Sequence, residues 1–334
     1  MTDKTKADWQ AAAQALKIDG RAFINGRSVN ALSGETRPTF SPADGREIAQ
    51  VAYCGIEDAE LAIASARAAF ESGVWSGMAP SDRKMIMVRW AELIEQHQDE
   101  LALLECLDVG KPIDNTLNID VGAAVRTIRW SGEAIDKVYD EIPPTPASSL
   151  ALVQRLPLGV VAAIVPWNFP LSTTAWKMAP ALATGNSVIL KPATNTPLTA
   201  LRIAQLAAEA GLPDGVLHVL PGSGGSLGKH LATHMDIDGL TFTGSTPVGQ
   251  LLMQYSGQSN LKRTFLELGG KSPNIIFADA NLDAAASMAA VAVFYNGGQT
   301  CTAGTRLIVE ESIREQFLEM VIENAKGWMP GDPM

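Results

Sequence analysis

From Gly159 onward, short unbroken apolar runs take turns with segments whose apolar residues recur three and four apart. The runs are Val160–Val165, Ser187–Lys191, Val216–Leu220 and Gly239–Thr243. A run without polar alternation belongs to a strand covered on both faces. The periodic segments are Leu171–Ala183, Pro197–Ala210, Ser226–Thr233 and Thr246–Ser256, and they read as helices. Buried strands alternating with amphipathic helices predict an α/β fold with a doubly wound, Rossmann-like parallel sheet. Right-handed crossovers place every strand's C-terminal end on one edge, where such sheets bind ligands.

Upstream, the pattern changes. Residues 1–17 read as a polar helix, while Arg21–Arg27 and Ile48–Tyr53 flank a turn-rich stretch and read as short antiparallel strands. Asp58–Ser72, Ser81–Leu107 and Asp120–Tyr139 carry helical periodicity. Pro143, Pro144 and Pro146 then take the chain out of the globular layer, and Ser149–Leu158 returns as an exposed strand or hairpin arm. An apolar strand outside a core needs a partner, so residues 141–155 are expected to be an oligomerisation arm. The pattern restarts after Lys262 with Arg263–Gly270, Asn274–Ala278 and a helix from Leu282. We therefore expect one domain over 1–140 and 156–266, and a second α/β domain from 267 to 334.

Composition narrows the partners. Of 334 residues, 46% are hydrophobic and 19% charged, which suits a soluble globular chain. A net charge of −10 argues against an electrostatic grip on nucleic acid or an anionic membrane. The apolar runs are too short to span a bilayer, and the N-terminus lacks the apolar core of a signal peptide. Cys54, Cys106 and Cys301 are widely spaced and show no metal-ligand spacing, so no metal is expected and a cytoplasmic, reducing compartment is.

The candidate chemistry sits at strand ends and in one loop. Cys301 stands among small and polar residues between an alanine-rich helix and a strand, with glycines that let the backbone turn sharply. Asn168, held between Pro166 and Pro170, can aim its amide at an oxyanion or simply form an Asx turn. Lys191 ends the second strand, suited to a phosphate or ribose hydroxyl or to a snorkelling surface position. Gly222–Gly228 is an imperfect dinucleotide fingerprint, because Leu227 occupies the place of its third glycine. Phe242–Ser245 ends the fourth strand, where Ser245 can cap a helix or meet a phosphate. Glu267, between Leu266 and Leu268, is expected to be a desolvated carboxylate suited to general-base work, or else the ion-pair partner of Lys271. His97, His218, His230 and His234 form no triad-like group with Cys301.

Together these segments resemble the aldehyde dehydrogenase superfamily. Val165–Pro170, Trp176–Lys177, Pro180–Asn186, Lys191–Pro192, Phe242–Ser245, Leu266–Lys271 and Gly298–Cys301 occur in family order, and Phe23–Gly26 and Asp108–Pro112 fit as well. Trp9–Gln10, Ile128–Trp130 and Ala134–Tyr139 are similar to bacterial γ-glutamyl-γ-aminobutyraldehyde dehydrogenases of putrescine breakdown. The resemblance implies a dinucleotide-binding first domain, a catalytic second domain, and NAD or NADP as cofactor. It makes Cys301 the nucleophile, Asn168 an oxyanion donor supported by Lys177, and Glu267 the activator of the deacylating water. Ile164, Pro166, Trp167, Lys191, Thr194, Gly222, Gly228, Phe242, Thr243, Gly244, Ser245, Leu268 and Gly269 would border the cofactor. Phe169, Trp176, Tyr295, Thr300 and Thr302 would line the substrate tunnel, as would Ala123, Ser172 and Thr173. The implied reaction oxidises a small-molecule aldehyde to an acid through a Cys301 thioester, in a homodimer or homotetramer.

Two departures from the family pattern matter. Many NAD-preferring members carry glutamate where Thr194 stands, and a neutral residue there removes repulsion against a 2′-phosphate, so NADP is expected to be tolerated or preferred. The chain also ends at Met334, before segments that in the family hold the nicotinamide ribose and complete the tunnel, so only the first part of the catalytic domain is expected. That leaves two alternatives: a semialdehyde or betaine-aldehyde dehydrogenase, and a truncated, inactive cofactor-binding protein.

Overall fold

The polar N-terminal segment forms α1 (Lys6–Ala15), opened by a capping box in which the Thr5 hydroxyl accepts from the Asp8 amide and the Asp8 carboxylate from the Thr5 amide. The computed structural model describes residues 4–334, so the first three residues of the expected helix lie outside the described residues. An Asn25–Gly26 turn with positive φ at both residues joins β1 (Ala22–Ile24) to β2 (Arg27–Val29), the geometry a two-residue hairpin favours. A second antiparallel pair, β3 (Thr36–Phe40) and β4 (Glu47–Ala52), precedes α2 (Ile56–Glu71).

The expected helix over Ser81–Leu107 is two helices, α3 (Pro80–Gln96) and α4 (Gln98–Val109). His97, at φ −97° and ψ 20°, departs from helical geometry while still bonding Leu93 and Leu101, so the apolar spacing that suggested one helix is undisturbed. After the short α5 (Ile113–Asn115) comes a π-helical turn, Thr116–Val121, and then α6 (Gly122–Ala134). The helix expected over Asp120–Tyr139 therefore starts later and ends sooner. In the arm, Glu141 and Val153 exchange amide bonds as an isolated antiparallel bridge, with Ile142, Leu150, Leu152 and Leu156 exposed.

Next follow β5 (Val160–Ile164), α7 (Pro170–Ala183), β6 (Ser187–Lys191), α8 (Leu198–Glu209) and β7 (Leu217–Val219). A π-helical turn at Gly224–Gly228 leads into the short α9 (Lys229–Thr233), so the helix expected over Ser226–Thr233 is only partly α-helical. Then come β8 (Gly239–Gly244), α10 (Thr246–Gly257) and β9 (Arg263–Leu268). The sheet order is β2-β1-β7-β6-β5-β8-β9. Strands β7, β6, β5 and β8 are parallel as predicted, but β1 pairs antiparallel with β7, which makes the sheet mixed. Because β6 and β7 lie on one side of β5 and β8 on the other, the ligand crevice of such a sheet falls between β5 and β8. Buried Trp75 and Trp90 satisfy their indole N–H groups on the carbonyls of Leu182 and Ile203, each at 2.8 Å. The Asp108 carboxylate accepts from the Leu198 amide (3.0 Å) and the Thr39 hydroxyl (3.0 Å), which ties α4 to α8 and β3.

By its internal contacts the chain divides into two units. The first takes the described residues through Thr243, Pro247–Leu266 and Pro333–Met334; the second takes Gly244–Thr246 and Glu267–Asp332. Within the second unit, β10 (Pro273–Ile276) and β11 (Arg306–Val309) pair in parallel, from Pro273 opposite Arg306 to Ile276 opposite Val309. They pack with α11 (Leu282–Phe294) and α12 (Arg314–Ala325) around Ile276, Ala286, Ala289 and Phe317. Ile275 and Ile308, opposed in register, remain exposed.

Candidate active site

Parallel pairing of β10 and β11 brings together the two segments that lead into them, and these carry Glu267 and Cys301. After α11 the chain turns through Asn296, Gly297 and Gly298 at φ 53°, 62° and 78°, a left-handed run that two glycines permit. The Gln299 amide donates back to the Asn296 carbonyl (3.1 Å) and the Ala303 amide to that of Thr300 (3.2 Å), so the loop is internally tied. Its half-buried Cys301 thiol donates to the Glu267 carboxylate, while the Cys301 and Thr302 amides face the sulfur.

The thiol's pKa is raised, first by burial and then by the hydrogen bond to Glu267 and its charge; the two amides oppose this without overcoming it. Cys301 therefore rests as a thiol whose proton already lies on the path to a carboxylate. Buried Cys54 is raised much further, by burial and by Asp58, and is inert by comparison. Glu267 is half-buried, not fully desolvated as expected, in a strand none of whose residues is fully buried. Its expected alternative partner, Lys271, bonds the Gly270 carbonyl instead (3.1 Å). Leu268, Tyr295 and Thr300 are half-buried, whereas Gly269 and Thr302 are exposed. Gly244 is half-buried and Ser245 exposed at the foot of α10.

In the first unit, register places Ile164 beside both Lys191 and Phe242 at the strands' C-terminal edge. Lys191 is buried and does not snorkel. Its ammonium donates to the Pro192 carbonyl (2.9 Å), and burial pushes its pKa down to about 8. A buried ammonium has three donors, and this is its one hydrogen bond among the described residues, so it is ready for a hydroxyl or phosphate oxygen. Thr194 lies nearby, its hydroxyl on the Gly222 carbonyl (3.2 Å). Gly222 is required by close approach, since a Cβ there would come within 2.7 Å of the Cys54 carbonyl oxygen and 2.6 Å of Leu227 Cδ2. Gly228 abuts the Lys191 stem and Ile164, and around Gly224 there is open space. Buried Thr243 has no partner for its hydroxyl among the described residues. These features fit a dinucleotide: an unsaturated cation, an open glycine turn at a helix start, and an unpaired hydroxyl on the same sheet edge.

Asn168 lies in the turn between β5 and α7, half-buried like Pro166 and Phe169, with Trp167 exposed. No side chain of α7's own N-cap serves its amides. Glu105 does so instead, with both carboxylate oxygens 3.3 Å from the Leu171 nitrogen. Trp176 is exposed on α7 and Lys177 half-buried; Ala123 is half-buried and Thr173 buried. Ser172, expected to line the tunnel, turns its hydroxyl to the buried Asp120 carboxylate (3.3 Å). Periodicity could not find Glu105, Lys111 and Asp120, which stand at core positions where sequence patterns favour apolar residues; only the Asp108–Pro112 motif pointed toward them.

His218 is buried, its pKa held down to about 4 by burial, with its Nε2 within 3.0 Å of the Gly215 carbonyl. Among the described residues, Glu60, His230 and His234 bring ligand-type atoms together. His234 Nδ1, however, accepts the Asp236 amide (3.1 Å), so in the neutral ring the proton sits on Nε2, facing Glu60 Oε1 at 3.4 Å. Metal-bound histidine donates from its second nitrogen. The trio is therefore read as a hydrogen-bonded cluster.

The aldehyde dehydrogenase family profile matches residues 29–334. The NADP/NAD-dependent aldehyde dehydrogenase PuuC of Escherichia coli is 51% identical over 329 residues, which covers 98% of this chain and 66% of that protein. Among solved structures, aldehyde dehydrogenase KauB from Pseudomonas aeruginosa superposes with a TM-score of 0.98 at 60% identity, covering 99% of this chain and 67% of that one. The γ-glutamyl-γ-aminobutyraldehyde dehydrogenase from Burkholderia cenocepacia J2315 gives the same TM-score, 0.98, and the same coverages, 99% and 67%, at 54% identity. The chain thus spans about two thirds of the length of the relatives it matches.

Proposed function

Because this chain belongs to the aldehyde dehydrogenase family, we propose that it oxidises an aldehyde to a carboxylic acid with NAD or NADP, through a thioester on Cys301. The observation that carries this reading is the Cys301 thiol donating to Glu267 with two backbone amides facing the sulfur. Glu267 accepts the thiol proton as the sulfur attacks the aldehyde carbon. The Cys301 amide and the side-chain amide of Asn168 are assigned to the oxyanion, the latter on its motif, and Lys177 to the support of Asn168. Bound NAD or NADP supplies the hydride acceptor. Having passed the thiol proton to solvent, Glu267 is again a carboxylate and takes a proton from the water that cleaves the thioester; that proton goes on to the departing sulfur, and the acid leaves.

Similarity to the Burkholderia enzyme favours an aminoaldehyde such as γ-glutamyl-γ-aminobutyraldehyde as substrate. The test is to follow reduced-cofactor absorbance with that aldehyde, succinic semialdehyde and betaine aldehyde. Turnover with the first, lost in Cys301→Ser while cofactor binding persists, is the expected result; tight cofactor binding without turnover of any aldehyde would sink the reading. Lys191, Gly222, Gly228, Phe242 and Thr243 are assigned to the dinucleotide, with Ile164, Pro166, Trp167, Gly244, Ser245, Leu268 and Gly269 at its border. Phe169, Trp176, Tyr295, Thr300 and Thr302 are assigned to the aldehyde's path.

With Thr194 neutral, NADP is tolerated or preferred. Thr194→Glu is expected to lower kcat/KM for NADP about tenfold or more relative to NAD, since a carboxylate beside a 2′-phosphate is a like-charge contact. Wild-type selectivity for NAD of about a hundredfold would overturn this assignment. No helix among the described residues is long and apolar enough to cross a membrane. We place the protein in the cytoplasm as a homo-oligomer joined through its exposed arm.

A further inference from the structure

Lys111 and Asp120 form a buried ion pair in the first unit, Nζ to Oδ2 3.0 Å, with side chains 2% and 1% exposed. Glu105 is buried beside them and feels both charges. An apolar pair of similar volume is often as stable in such a place, so packing alone does not account for these ions. Their contacts run to one stretch of chain. The Lys111 ammonium lies 3.7 Å from the centroid of the Phe169 ring. Both Glu105 carboxylate oxygens reach the Leu171 amide (3.3 Å), and the Ser172 hydroxyl donates to Asp120 (3.3 Å). The residues held are those directly after Asn168. Asp120 itself projects from the π-helical turn Thr116–Val121, a distortion found often at functional sites.

Charge balance supports the arrangement. Burial, and then the charge of Asp120, push Glu105 up to about 8. Burial raises Asp120 as well, so both acids hold protons more readily than free carboxyls, with Lys111 the one cation that opposes the rise of each. A desolvated ammonium over an aromatic face is a strong orienting contact for the ring.

We propose that Lys111, held by Asp120, is a positioning residue: its ammonium fixes the Phe169 ring and, through it, the turn that presents Asn168. The effect on catalysis rests on the aldehyde dehydrogenase reading; the hold on Phe169 does not.

The experiment uses the whole chain labelled with 4-fluorophenylalanine, the Phe169 fluorine resonance being assigned by its loss in Phe169→Leu. Lys111→Met strands the Asp120 carboxylate and can fail to fold, so Lys111→Met/Asp120→Leu is made alongside it as an apolar replacement of the pair. The double variant is expected to keep its melting temperature, shift and broaden the Phe169 resonance, and lower kcat about ten- to a hundredfold, as misplacement of a reacting group does. KM for the dinucleotide should not move. Lys111→Arg, which keeps a cation over the ring, should restore the resonance and most of kcat. A folded double variant with the Phe169 resonance unchanged overturns the proposal, and so does a shifted resonance with unchanged kcat. If the wild-type chain turns over no aldehyde, the dehydrogenase reading fails, and the resonance alone decides whether Lys111 holds the ring.

Discussion

At Cys301 burial first and the contact with Glu267 second hold the sulfur's reactivity down, and the same contact sets where its proton goes. Glu267 raises the thiol's pKa while offering the acceptor that removes the proton. Glu267→Gln should therefore move reactivity and turnover in opposite directions. With the charge gone the pKa falls, the thiolate fraction at pH 7.5 grows, and alkylation by iodoacetamide speeds up severalfold, up to about tenfold for one pKa unit. Turnover should fall about a hundredfold or more, because a positioned general base contributes on that order. Slower alkylation in the variant would show that Glu267 activates the resting thiol instead of restraining it. Cys301, Glu267 and Lys191 could be singled out from the sequence as candidates because what marks them is local: a cysteine in a glycine-rich loop, charges at the ends of apolar strands. Ser172 was not. Which way its hydroxyl points depends on Asp120, 3.3 Å away on another element, and nothing in its own helix records that.

Helix α4 and the turn after α5 bury acids in a layer that is otherwise apolar. The folded-state pKa of Glu105 lies well above the glutamate range, at about 8, from burial first and the Asp120 charge second, with Lys111, Thr199 and the Leu171 amide opposing. Asp108, one turn on, is raised by burial to about 7. For a carboxyl raised on folding, the stabilising contribution is complete below the unfolded pKa, about 4.3 for glutamate. It is lost as pH rises through the folded value. Urea midpoints are therefore expected to fall from pH 5 to pH 9, at a slope of up to about 1.4 kcal/mol per pH unit for each such group. Glu105→Gln should flatten the profile, and an identical slope in that variant would refute the assignment. At this scale the four apolar strands could be read directly, since a segment covered on both faces has no polar alternation to hide it. The break at His97 and the π-helical turns could not, because each alters backbone geometry while leaving the apolar spacing intact.

Over the whole molecule, what could not be foreseen is how distant segments join. The arm exposes Ile142, Leu150, Leu152 and Leu156 around one bridge between Glu141 and Val153. Leu150→Asp/Leu152→Asp should reduce the particle mass seen by light scattering and leave the circular dichroism spectrum unchanged. A monomeric wild type would dispose of the arm's proposed role. Spacing likewise suggested a purely parallel sheet, yet the N-terminal hairpin adds two antiparallel strands, with Phe23 opposite Val219. That pairing makes the first thirty or so residues a guard for the sheet. Cleavage just after Val29 would free β1 and β2 and leave β7 as a bare edge, whose unpaired amides and carbonyls are a template for another chain. The clipped protein should therefore sediment as aggregate before its remaining fold melts, and limited proteolysis of the N-terminus would register first as lost solubility.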